Sequence, residues 1–163
     1  MKQKLLTLCC LLLMSVTVAN AQYKGLDTKR LAEILSKEKK TGIVDDSIFV
    51  TYLDSLGFKK SEQVDNRYRR GSALSFYKKA KNRNKEFDII VHLTTRDDGN
   101  TIGHSIDINA EDNGTWWWMI LQLKKFGMKV TEGDGEFMDL KGKGLFAGTG
   151  HCSLTIGCSI NKK

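Results

Sequence analysis

The chain has 163 residues, about 40% of them apolar and 28% charged, with 26 lysines and arginines against 19 aspartates and glutamates. That balance excludes a disordered chain and a bundle of membrane spans, and the length suits one hydrophobic core rather than two. There is no proline, which excludes proline-rich linkers and native cis-proline turns.

Met1-Lys2-Gln3-Lys4 is a short cationic start, Leu5 to Val18 is apolar, and Ala19-Asn20-Ala21 has the small-x-small spacing that signal peptidase reads. The expectation is a secreted or periplasmic protein, its signal peptide (residues 1–21) cleaved after Ala21, with a single α+β domain over residues 22–163. The apolar run falls short of the roughly 20 residues of a spanning helix. No other segment reads as a span, so an integral membrane protein is not expected. Cys9 and Cys10 lie inside the run, not at its end where a lipid-modified cysteine would stand.

Asp27 caps a first helix to about Lys40, with Leu31, Ile34 and Leu35 on one face, and Thr41-Gly42 ends it. Asp46 or Ser47 caps a second helix carrying Phe49, Tyr52, Leu53 and Leu56, and Gly57 sits at the position of a left-handed C-terminal cap. Three strands follow, at about Ser72–Lys78, Glu86–Thr95 and Thr101–Asn109. The last two turn through Asp97-Asp98-Gly99-Asn100, and a register of Thr95 opposite Ile102 makes their apolar faces coincide. A third helix spans about Trp116–Phe126. Phe126-Gly127-Met128 echoes Leu56-Gly57-Phe58; of the two readings, a faint helix-plus-strands repeat or one common capping device used twice, the second is preferred. A second hairpin joins Glu136–Lys141 to a long strand, Leu145–Ile160. The sum is an α+β fold: an antiparallel sheet of about five strands, one face covered by two or three helices.

In the long strand the even positions, including Phe146, Cys152 and Cys158, alternate with small and polar residues. Six strand residues separate the sulfurs by roughly 20 Å, too far for a disulfide. Both cysteines are therefore read as free core thiols.

The chemical motifs are weak. His92 falls opposite Ser105, with Asp107 and Asp88 on the same polar face, the raw material of a nucleophilic site. The amides of a paired strand are committed to the ladder and cannot form an oxyanion hole, so a solvated sheet face is the better reading. His104 reads as a core histidine with a satisfied ring nitrogen. His151 and Cys152 face opposite sides of a strand and cannot chelate one ion, and no zinc-type ligand pairs occur. The oxygen-rich Asp107–Asn113 turn fails the EF-hand spacing and reads as the approach to a helix N-terminus. Gly142-Lys143-Gly144 and Gly148-Thr149-Gly150 lead into strand, not helix, unlike a phosphate loop. No catalytic residue, metal or cofactor is expected.

Two features stand out. Trp116, Trp117 and Trp118 are consecutive and cannot share one helix face. Trp116 aligns with Met119, Ile120 and Leu123, and Trp117 with Leu121 at the edge of that stripe. Trp118 falls on the polar side, where it is covered by another element or displayed to a partner. The charge is also uneven: residues 59–86 carry ten basic side chains against three acidic, net +7, while residues 22–58 are neutral and 87–163 are at −2. Candidate partner-binding residues are therefore Arg67, Arg69, Arg70, Tyr77, Lys78, Lys79, Lys81, Arg83 and Lys85, with Trp118. The expected function is a non-enzymatic binding module for an anionic polysaccharide, lipid head groups or an acidic protein, with nucleic acid disfavoured by location. The alternatives are a secreted inhibitor or immunity-type protein, with Trp118 as a hot spot, and a small hydrolase using the His92 face.

Overall fold

The computed structural model describes residues 25–61, 71–82, 85–127, 129–130, 137–140, 144–150 and 152–162. The expected signal peptide and cleavage site lie outside the described residues.

Among the described residues, three helices and eight antiparallel strands make an α+β fold. Helix α1 (Thr28–Thr41) starts at Asp27, whose carboxylate accepts the Arg30 N–H, and stops at Gly42 with φ of 75°. Helix α2 (Asp46–Ser55) is capped by Asp45, one residue before the expected cap. The Asp45 carboxylate accepts both the N–H and the hydroxyl of Ser47. Helix α3 (Asn113–Phe126) starts three residues early because Asp112 takes the Thr115 N–H at 2.7 Å and its hydroxyl at 2.8 Å. Asp112, the last acid of the oxygen-rich turn, is thus a helix cap.

The strands are β1 (Lys59–Lys60), β2 (Gly71–Asn82), β3 (Lys85–Asp97), β4 (Thr101–Ala110), β5 (Lys129–Val130), β6 (Phe137–Leu140), β7 (Leu145–Gly150) and β8 (Ser153–Asn161). Their order, β1-β2-β3-β4-β8-β7-β6-β5, reads the same from either edge. Each half runs helix, positive-φ glycine (Gly57 or Gly127), two-residue strand, then three longer strands. The echo of Leu56-Gly57-Phe58 in Phe126-Gly127-Met128 therefore belongs to a repeated order of elements, not to an isolated capping device. The halves differ in length: β2 and β3 have 12 and 13 residues, β6 and β7 four and six.

Alternation decides what each strand buries. Phe87, Ile89, Val91 and Leu93 of β3 meet Ile106 and Ile108 of β4 and Leu154, Ile156 and Ile160 of β8 beneath α1, α2 and α3. The β3–β4 register is two residues tighter than expected: Asp97, not Thr95, lies opposite Ile102. The cause is Asp98, whose carboxylate accepts the N–H groups of Asn100 and Thr101 and the Thr101 hydroxyl, closing the turn early. An even shift leaves every side chain on its expected face.

The expected single strand Leu145–Ile160 is two strands. The chain folds back between Gly150 and Ser153, with Cys152 at φ of 56°. The pairing of Leu145 with Cys158 and Ala147 with Ile156 makes odd residues of β7 share a face with even residues of β8. Leu145 and Ala147 are therefore buried, while Phe146 is turned out over Gly157. Cys158 is a buried free thiol, pushed up to about 11 by burial and then by the charge of Glu38. Cys152 is also free but is not in the core: it sits in the turn and donates to Asn113 Oδ1.

Candidate functional site

The extra length of β2 and β3 forms the candidate site. Lys79–Asp88 to Asn82–Lys85 pair with each other beyond Ile89–Ala110, the last β3–β4 pair, and beyond Lys59–Tyr77 on the other side. This two-stranded extension carries exposed Lys79, Lys81 and Lys85, and β1 adds exposed Lys59 and Lys60 beside it. Two carboxylates of β3 temper the charge. Glu86 lies 3.8 Å from Lys79, with both side chains about 60% exposed, a geometry that contributes little stability. Asp88 accepts the Tyr77 hydroxyl at 2.9 Å, and that hydrogen bond raises the phenol pKa. Among the described residues, Lys59, Lys60, Lys81 and Lys85 form no ion pair.

Lys78 does not belong to this surface. Phe76, Lys78 and Ala80 alternate onto the helix-covered face, where the Lys78 ammonium donates to the Leu56 carbonyl at the end of α2 and lies 5.7 Å from the Phe58 ring centre. A cation there answers the unpaired carbonyls and the helix dipole. Lys78→Ala is expected to lower stability by about 1 kcal/mol, seen in urea unfolding, while leaving polyanion binding unchanged. Arg67, Arg69, Arg70 and Arg83 lie outside the described residues. Lys59 and Lys60 were missed as site residues, although their strand position follows from the Gly57 cap that turns the chain back along β2.

Trp118 sits apart from the lysines, half-buried in a groove lined by Asp27, Lys29, Gln122 and Lys125, with the Lys125 ammonium 5.8 Å from its ring centre. The start of α1 supplies the cover. Trp117 is the displayed tryptophan, 50% exposed beside Leu121 at 40%, while Trp116 donates to the Ser153 carbonyl.

The polar outer face of the sheet regroups the nucleophile candidates. Ser105 lies opposite Thr94, not His92. His92 Nδ1 instead lies 2.9 Å from Ser75 Oγ, and His92 is paired with Asp107, whose carboxylate accepts the Thr155 hydroxyl at 2.5 Å. The row Ser75–His92–Asp107–Thr155 crosses four paired strands, so the backbone amides beside it serve the ladder.

Under the opposite face, His104 is fully buried between two carboxylates. Its Nδ1 is 2.7 Å from Glu38 Oε2, and its Nε2 lies 3.1 Å from Asp46 Oδ1, an ion-pair distance without hydrogen-bond alignment. Glu38 also accepts the Asp45 N–H at 2.9 Å, and Phe49 packs edge-on to the imidazole. Burial pulls the His104 pKa down, but Asp46 and Glu38 outweigh it and raise it from 6.5 to about 9. One imidazolium thus ties α1, the start of α2 and β4 together. A groove of about 480 Å³ between α1 and α2 has Ile34, Ile43 and Ile48 among cations and anions in near balance, with no preference for one charge. Among the described residues no group of three histidine, cysteine or acidic side chains could hold a metal ion, and no helix is long and apolar enough to cross a membrane.

These features have no counterpart from which a role could be carried over: no family model matches the chain, and neither a curated protein nor a solved structure matches it.

Proposed function

We propose that the protein is an exported, non-enzymatic binding module that engages an anionic partner through the lysine-bearing extension of β2 and β3 and the adjoining β1. The observation that carries this reading is five exposed lysines around a strand pair longer than its counterpart in the other half: Lys59, Lys79 and Lys81 on its outer face, Lys60 and Lys85 on the other. Several cations on one projecting element bind a polyanion by releasing its counterions, which makes the affinity steeply salt-dependent.

The test is salt-gradient elution from immobilised heparin, comparing the parent with a variant carrying Lys59, Lys79, Lys81 and Lys85 changed to serine. Lys78 is retained, so that loss of binding is not loss of the α2 contact. The parent is expected to elute late and the variant early, with the same circular dichroism spectrum. Early elution of both refutes the reading and moves attention to Trp117 and Leu121 on α3.

A further inference from the structure

Two backbone bonds fix which way the peptide groups of β2 and β3 point. The Ser61 N–H donates to the Ser75 carbonyl, and the Glu111 N–H donates to the Asp88 carbonyl. The β2–β3 register runs without a bulge from Gly71–Arg96 to Asn82–Lys85. Alternation therefore carries the first observation along the strand: the N–H and C=O groups of Ser75, Tyr77, Lys79 and Lys81 point away from β3. Those of Ser75 and Tyr77 meet Ser61 and Lys59. Beyond Lys59 the chain turns off through Phe58 and the positive-φ Gly57 into α2, and no described residue pairs with the outward groups of Lys79 and Lys81.

We infer that this edge takes an extended acidic peptide as an added strand, continuing the line of β1. The inference rests on the proposed anion-binding role and names its partner. Peptide residues opposite Lys79 and Lys81 would exchange both N–H···O bonds with them and point their side chains to the outer face beside the two ammonium groups. Carboxylates fit there. The residue between them would lie opposite Ala80, small and buried on the other face, where an apolar side chain fits. The preferred strand is thus acidic–apolar–acidic. Lysines on an open edge repel a second copy of the same edge, so they select against self-pairing while favouring a strand of opposite charge.

The probe is the peptide acetyl-(Glu-Val)3-Glu-amide, titrated into the protein by calorimetry beside two twins of equal charge. One is N-methylated at every glutamate and the other at every valine. In the inferred register the glutamate N–H groups face β2 and the valine N–H groups face away. Glutamate methylation is expected to weaken binding at least about tenfold, valine methylation little, and Lys79→Ser/Lys81→Ser to abolish it. Equal binding by both twins, binding that survives the lysine substitutions, or failure of the unmodified peptide while heparin still binds would overturn strand addition and leave the anion-binding reading intact. Failure of peptide and heparin together would overturn both.

Discussion

His104→Leu is expected to destabilise the protein by about 3–5 kcal/mol, the cost of removing one partner from a buried ion pair, read from the shift in urea midpoint at unchanged slope. Leucine fills most of the imidazole volume, so the loss is electrostatic more than steric. Among the described residues it leaves the Glu38 carboxylate beneath the sheet with one hydrogen bond, from the Asp45 N–H. Asp46 also faces the vacated position, although it is partly open to solvent. A double-mutant cycle separates these contributions. Glu38→Gln with His104→Gln replaces a charged pair by a neutral one of similar size, and should cost less than His104→Leu alone. A leucine variant as stable as the parent would show that His104 is neutral and only packs.

Protonation of the same residue sets a pH dependence of stability. The folded-state pKa of His104 is about 9 against 6.5 for the free side chain, so the folded state holds a proton that the unfolded chain releases near 6.5. A raised pKa contributes stability in full below 6.5 and loses it as pH rises through about 9. Between pH 6 and 8.5 the expected loss is about 2 kcal/mol, which lowers the thermal midpoint by roughly 5 °C. The window stops short of 9 because Cys158, held at about 11 in the fold, begins there to ionise preferentially in the unfolded chain. His104→Gln should flatten the profile. A midpoint that rises with pH across the window, or an equal slope in the variant, would contradict the buried imidazolium.

How much of this was legible in the sequence depends on the range of the interaction. Strict alternation in Phe87–Leu93 and Ile102–Ile108 set the faces of β3 and β4 correctly even though the register was two residues off, because an even slip preserves the face. The same reasoning failed for Phe146. The tight turn between Gly150 and Ser153 changes which parity points inward, and neither glycine nor proline marks Cys152, the residue at positive φ. Helix ends were readable to within three residues, since capping is local. The Glu38–His104 contact spans 66 positions and leaves no local trace. Lys78 shows the opposite case. Its burial side could be read from Phe76 and Ala80 in the same alternation, but counting the lysines as one charge run concealed it. A basic run on a strand divides between two faces: Lys79 and Lys81 lie on the outer one, while on the other Lys78 is taken up by α2 and only Lys60 and Lys85 stay exposed.

The most direct test of that division is a nitrogen-15 correlation spectrum of the protein titrated with acetyl-(Glu-Val)3-Glu-amide. Shifts are expected only at residues 59–61 and 77–86, largest at the amides of Lys79 and Lys81, with Trp117 and the residues around it unmoved. Shifts centred on α3, or scattered over lysines on every face, would contradict it.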